Sequence, residues 1–110
     1  MLKQAYRLKS PKDFRLTYKK GKSLVNPYLV LYFRKNQKNT YRIGFSVSKK
    51  VGKAVIRNRV KRKLREICRL NEKLFSIGYD YIFVVRVRSK DASYHKLEKN
   101  LLDLIHKMRK

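Results

Sequence analysis

Between Tyr41 and Ser48 apolar and polar positions alternate. Ile43, Phe45 and Val47 point one way, and Arg42, Gly44, Ser46 and Ser48 point the other, which is the period of a half-covered strand. Just before it, Tyr28 to Arg34 reads as a second strand, bounded by Asn26-Pro27 and by a polar turn from Asn36 to Thr40. Leu29, Leu31 and Phe33 would enter the core, leaving Tyr28, Val30 and Tyr32 on the side of Ser46 and Ser48. The two strands predict a β-hairpin with one covered face and one small, polar, basic face.

After Gly52 the spacing changes to three and four. Ile56, Val60, Leu64, Ile67, Asn71 and Leu74 form the inner stripe of a helix from about Ala54 to Leu74, with Asn58, Lys61, Arg62, Arg65 and Arg69 opposite and Arg57 and Arg59 flanking. Tyr79 to Val87 is almost continuously apolar, the mark of a central strand covered on both faces. A last helix runs from about Asp91 or Ser93 to Met108 on the stripe Leu97, Leu101, Leu104 and Met108. Near the start, Ser10-Pro11-Lys12-Asp13 reads as a helix opening, with Ser10 as cap, Pro11 at the first position and Asp13 closing a capping box. Gly21 reads as the stop, and Phe14 and Tyr18 share one face of that helix. The order α-β-β-α-β-α predicts a single-domain α+β sandwich over residues 1–110, with helices packed on a small mixed sheet.

Charge narrows the picture. The 110 residues hold 31 Lys and Arg against 7 Asp and Glu, a net +24, although 43% of the chain is apolar. It can therefore collapse, but its self-repulsion calls for a polyanionic partner, nucleic acid first and an anionic membrane surface second. Residues 49–69 alone carry ten basic side chains and one acid, Glu66. No apolar run approaches the ~20 residues of a membrane span, and Met1 to Ser10 lacks the apolar stretch of a signal peptide. The expectation is a soluble cytoplasmic protein, without a membrane association. Cys68 is the only cysteine, so no intrachain disulfide is available, and it reads as a small buried residue.

The acids Asp13, Glu66, Glu72, Asp80, Asp91, Glu98 and Asp103 are scattered, with no metal-ligand spacing. His95 and His106 stand eleven residues apart on the last helix, and one cysteine with two histidines cannot make the usual zinc set. Gly44 and Gly52 form no phosphate-binding fingerprint. The chain is thus expected to bind, with no catalytic residue, metal ligand or small-molecule substrate of its own. Two binding surfaces stand out. One is the polar face of the 54–74 helix, where arginine forks and lysine ammonium groups suit phosphates. The other combines the first helix with the outward strand face: Phe14, Tyr18, Tyr32, Ser46 and Ser48, edged by Lys49, Lys50 and Arg42. Rings beside cations suit unpaired nucleotides, although Phe14 and Tyr18 would also serve simply to seat the first helix.

The stretch FSVSKKVGKAVIRNRVKRKLRE, residues 45–66, resembles the signature of the bacterial ribonuclease P protein subunit: a strand, a Ser-Lys-Lys turn and an Arg-Asn-Arg helix. KSPKDFRLTYKKGKS, residues 9–23, is similar to that family's opening segment, and YLVLYF to its first strand. The resemblance implies a protein that assists a large catalytic RNA in cutting the 5′ leader from precursor tRNA, with Mg²⁺ held chiefly by the RNA. It implies contact with catalytic RNA at Arg57, Asn58, Arg59, Lys61, Arg62 and Arg65. A leader groove at Phe14, Tyr18, Tyr32, Ser46, Ser48, Lys49 and Lys50 follows from it too, with Tyr18 where relatives carry Phe. A left-handed β-α-β crossover like that of ribosomal protein S5 domain 2 is also implied, where general connection rules favour the right-handed form. A small ribosomal protein or assembly factor would match the charge and size equally well, and a metal-dependent nuclease acting alone is disfavoured by the scattered acids.

Overall fold

The computed structural model describes residues 4–109. Its strands are β1 (Lys22–Val25), β2 (Leu29–Lys35), β3 (Arg42–Ser46) and β4 (Tyr79–Val85), and its helices are α1 (Pro11–Lys20), α2 (Ala54–Leu70) and α3 (Tyr94–Met108). Short 3-10 turns lie at Gln4–Tyr6, Glu72–Leu74 and Val87–Asp91. The α+β class and the mixed sheet agree with the sequence pattern.

The sheet runs β1-β2-β4-β3, with β3 parallel to β4 and the other neighbours antiparallel. The expected hairpin between residues 28–34 and 41–48 is therefore not formed, because β4 lies between those strands. β4 is buried toward both faces, with Tyr81, Phe83 and Val85 on one side and Asp80 and Ile82 on the other, and only a central place covers both sides. The true hairpin partner of β2 is β1, a strand the pattern did not announce: it has four residues, of which only Leu24 is partly covered. Asn26 makes the turn, its Oδ1 accepting from the N–H groups of Tyr28 (3.0 Å) and Leu29 (2.9 Å). β3, α2 and β4 form the parallel β-α-β unit.

Register sorts the sheet into two faces. Leu31, Phe83 and Phe45 form a row on one face, and Phe33, Tyr81 and Ile43 the next. These pack with Val60, Leu64 and Ile67 of α2 and Leu97, Leu101, Leu104 and Ile105 of α3 in the main core. The opposite face carries Tyr32, Ile82 and Gly44 and is covered by α1.

Helix ends differ from the expectation in three places. Ser10 makes no side-chain cap, and its carbonyl instead accepts the Phe14 N–H at 3.1 Å. Asp13 closes no capping box because its carboxylate turns to Arg42. α2 stops at Leu70 rather than Leu74, where Asn71 caps it, its Nδ2 donating to the Ile67 carbonyl at 2.8 Å. Gly21 does end α1, but in extended backbone. There a Cβ would lie 2.5 Å from the Thr17 carbonyl oxygen and 2.6 Å from that of Phe33, so close approach explains the glycine. Ser93 caps α3, accepting the Lys96 N–H at 3.1 Å. No helix among the described residues is long and apolar enough to cross a membrane.

Candidate nucleic-acid interface

Three rows of the α1-facing side of the sheet build the first surface. The first is Arg34, Asp80 and Arg42. Asp80 is fully buried and receives Arg42 Nε at 2.9 Å, Arg42 Nη2 at 2.8 Å and Asn36 Nδ2 at 2.8 Å. Arg42 Nη1 reaches Asp13 of α1 at 3.0 Å. Burial opposes the Arg42 charge, but the bonds and attraction of Asp80, then Asp13, outweigh it and hold the guanidinium above its ordinary pKa. Arg42 is thus not a cation on the groove rim, as the alternation suggested. It is the clasp that fixes α1 to the sheet.

The second row, Tyr32, Ile82 and Gly44, lies beneath the rings of α1. Phe14 covers Gly44 so closely that a Cβ there would meet Phe14 Cζ at 2.5 Å. Phe14 is half-buried, while Tyr18 keeps 37% of its surface and stands edge-on to Tyr32, ring centroids 4.9 Å apart. Phe14 and Tyr18 are 6.2 Å apart. Phe14 therefore both seats α1 and starts a line of three rings that ends on β2.

The third row is Val30, Val84 and Ser46, all half-buried. Beyond Ser46 the chain enters a turn in which the Val51 N–H donates to the Ser48 carbonyl (3.1 Å) and the Gly52 N–H to that of Lys49 (3.2 Å). Val51 is fully buried and pins the turn, leaving Ser48, Lys49 and Lys50 exposed. Of the expected groove residues, Phe14, Tyr18, Tyr32 and Ser46 share one sheet face, and Ser48, Lys49 and Lys50 continue from its edge.

α2 builds the second surface. Val60, Leu64, Ile67 and Cys68 are its buried side, where burial pushes the Cys68 thiol pKa far up. Asn58, Arg59 and Arg62 are exposed, and Arg57, Lys61 and Arg65 are half-buried. Arg57 Nε donates to the Gly52 carbonyl at 3.2 Å, tying the helix to the Lys49–Lys50 turn. Arg69 pairs with Glu66, so it is not part of the cationic face. No acid occupies the first turn, which keeps the positive end of the helix dipole uncompensated.

One part of this surface was missed from sequence. The Leu8 N–H donates to the Ile43 carbonyl at 2.8 Å and Arg7 bridges Ile43 in parallel, laying the N-terminal segment along β3. Arg7 and Lys9 thereby join Lys61 and Arg65 around a cavity of about 270 Å³. Burial, then the nearby Arg7, lowers the Arg65 pKa from its ordinary value, as expected where a partly buried cation has another cation beside it. The only sequence signal was Leu8 between two cations.

Known proteins share this sequence pattern and this fold. The family model described as Ribonuclease P matches residues 2–109. The ribonuclease P protein component of Alkaliphilus oremlandii is 50% identical over 107 residues, covering 97% of this chain and 94% of the relative. That of Clostridioides difficile is 50% identical over 99 residues, covering 89% and 87%. Among solved structures, the Staphylococcus aureus RNase P protein superposes with a TM-score of 0.86 at 36% identity, covering 94% of each chain. The Thermotoga maritima RNase P protein superposes with a TM-score of 0.83 at 38% identity, covering 90% of this chain and 94% of that one. The chain belongs to the ribonuclease P protein family, the RNA-binding component of a tRNA-processing enzyme.

Proposed function

We propose that this chain grips the catalytic RNA of ribonuclease P with the outer face of α2 and holds the 5′ leader of precursor tRNA across the aromatic face under α1. The observation that carries this reading is the placement of Tyr18 edge-on to Tyr32, beside the half-buried row Val30, Val84 and Ser46, on the side of the sheet away from α2. Two RNA segments can then be held at once without competing for the same groups.

Each surface suits its segment. Arg57, Arg59, Arg62 and Arg65 offer planar forks to phosphate oxygens, Lys61 adds charge, and Asn58 can read a base or ribose edge. Phe14, Tyr18 and Tyr32 give ring faces or edges to unpaired bases, while Lys49 and Lys50 neutralise phosphates leaving the groove. Stacking and charge tolerate most base sequences, as a processing enzyme acting on many tRNA precursors requires.

Mg²⁺ is assigned chiefly to the RNA of the holoenzyme, where it would stabilise charge at the phosphate being cut. This chain offers it no ready cage: no group of three or more His, Cys, Asp or Glu among the described residues lies together to hold a metal. The Asp13 and Asp80 carboxylates, the two beside the aromatic face, are both bonded by Arg42. The chain's part is binding and positioning, and cleavage belongs to the RNA.

Reconstitution tests this directly. The protein combined with catalytic RNA should raise precursor tRNA cleavage at low Mg²⁺ well above RNA alone and should favour precursor over mature tRNA in binding. Equal rates with and without protein would overturn the reading.

A further inference from the structure

A third basic recess lies away from both surfaces, at the end of the sheet where α1 hands over to β1. Lys20, Lys22 and Lys35 are exposed around a cavity of about 320 Å³ that Phe33 and Tyr79 line as half-buried rings. That volume falls at the low end of the ~300–1,000 Å³ range of small-ligand pockets. Register explains the grouping: Lys22 pairs with Phe33 on β1–β2, and Lys35 pairs with Tyr79 on β2–β4. Gly21 completes it by pressing against the Phe33 backbone, where a Cβ would not fit.

No carboxylate lines this recess. Arg34 borders it, but its guanidinium reaches Asp80 at 3.5 Å on the other face of the sheet. Three exposed ammonium groups and two half-buried rings around one opening suit a phosphate with an unpaired base. A purely apolar or cationic ligand would leave the charge unanswered.

We propose that the Lys20–Lys22–Lys35 recess is a further RNA-contact site that takes one nucleotide, its phosphate on the lysines and its base against Phe33 and Tyr79. It rests on the reading that the chain binds ribonuclease P RNA and precursor tRNA, and either RNA can supply that nucleotide. Neither the α2 cations nor the α1 rings belong to it.

The test compares Lys22→Ala/Lys35→Ala with the charge-matched Lys90→Ala/Lys99→Ala, both pairs being exposed. Two affinities are read against salt: protein for catalytic RNA, and holoenzyme for precursor tRNA. Loss of roughly tenfold in one affinity, with its salt slope flatter by about one, is expected for the recess pair and not for the control pair. The affinity that falls identifies the RNA. Tyr79→Leu, which keeps apolar cover, should weaken the same affinity with an unchanged salt slope. Equal behaviour of the two pairs, with wild type binding both RNAs, would overturn this site alone. Failure of wild type to bind either RNA would overturn the underlying reading as well.

Discussion

Arg42 and Asp80 face each other across parallel strands in a two-pronged bond, Nε to Oδ1 at 2.9 Å and Nη2 to Oδ2 at 2.8 Å, with Asp80 wholly enclosed. The third prong, to Asp13 at 3.0 Å, carries the connection from sheet to helix. The position of the aromatic line thus depends on an ion pair one row away from it.

Arg42→Ala should destabilise the fold by about 3–5 kcal/mol, because the enclosed Asp80 carboxylate loses its main partner. Asp13→Ala, at a partly exposed carboxylate, should cost about 1 kcal/mol or less in stability. It should nevertheless weaken discrimination for leader-bearing tRNA, since α1 loses its tether. Urea unfolding and paired binding of precursor and mature tRNA separate the two effects.

Tyr18→Ala is the clean test of the proposed leader groove. The ring is the more exposed of the α1 pair, so its removal should leave stability nearly unchanged. Precursor binding should fall by the ~1–3 kcal/mol of one stacked base, and mature tRNA binding should not. Phe14→Ala should lower both precursor affinity and melting temperature, because that ring also covers Gly44.

Gly44→Ala should push Phe14 off its seat. The new methyl would begin 2.5 Å from Phe14 Cζ and 3.2 Å from Leu8 Cβ, so the helix or the ring must move. Overpacking of this kind costs about 1–3 kcal/mol. Thermal unfolding should show that loss together with weakened precursor binding.

Arg62→Ala should loosen the catalytic RNA complex and flatten its salt dependence by about one phosphate's worth, without altering melting temperature. Titrations of the complex at several salt concentrations check both parts.

Tyr41 gives a pH signature. Burial first, then Glu72 and Tyr6, push its phenol pKa from 10.0 up to about 12, and its hydroxyl is buried without a hydrogen-bond partner. The folded state therefore holds this proton where the unfolded chain releases it. The stabilising contribution is whole below pH 10 and is lost as pH rises from 10 toward 12. Tyr41→Phe should match wild-type stability at neutral pH and show a shallower decline across that window in urea unfolding.

Much of this was legible in residue order. The periods of α2 and α3, the burial of Cys68, the cations of α2 and the ring pair Phe14–Tyr18 all follow from spacing. Strand pairing was not, because alternation in β2 and β3 states which side chains face inward but not which strand lies alongside. The decisive clue was in β4. A strand apolar on both faces needs neighbours on both edges, and β2 and β3 were the candidates on either side. β1 escaped notice because a four-residue edge strand needs little apolar pattern. The Arg42 clasp was hidden for a related reason: its partners Asp13 and Asp80 are distant in sequence and neither marks a motif.

The strip from Arg7 to Leu8 along the outer side of β3 has one more effect. A bare strand margin on a chain of this size invites pairing with another copy, and free protein awaiting its RNA would be the most exposed to that fate. With Ile43 already bonded there, β3 has less backbone to offer a second molecule, and the +24 charge repels any that comes near. The same lysines and arginines proposed to recruit RNA would thus help keep the unassembled protein monodisperse.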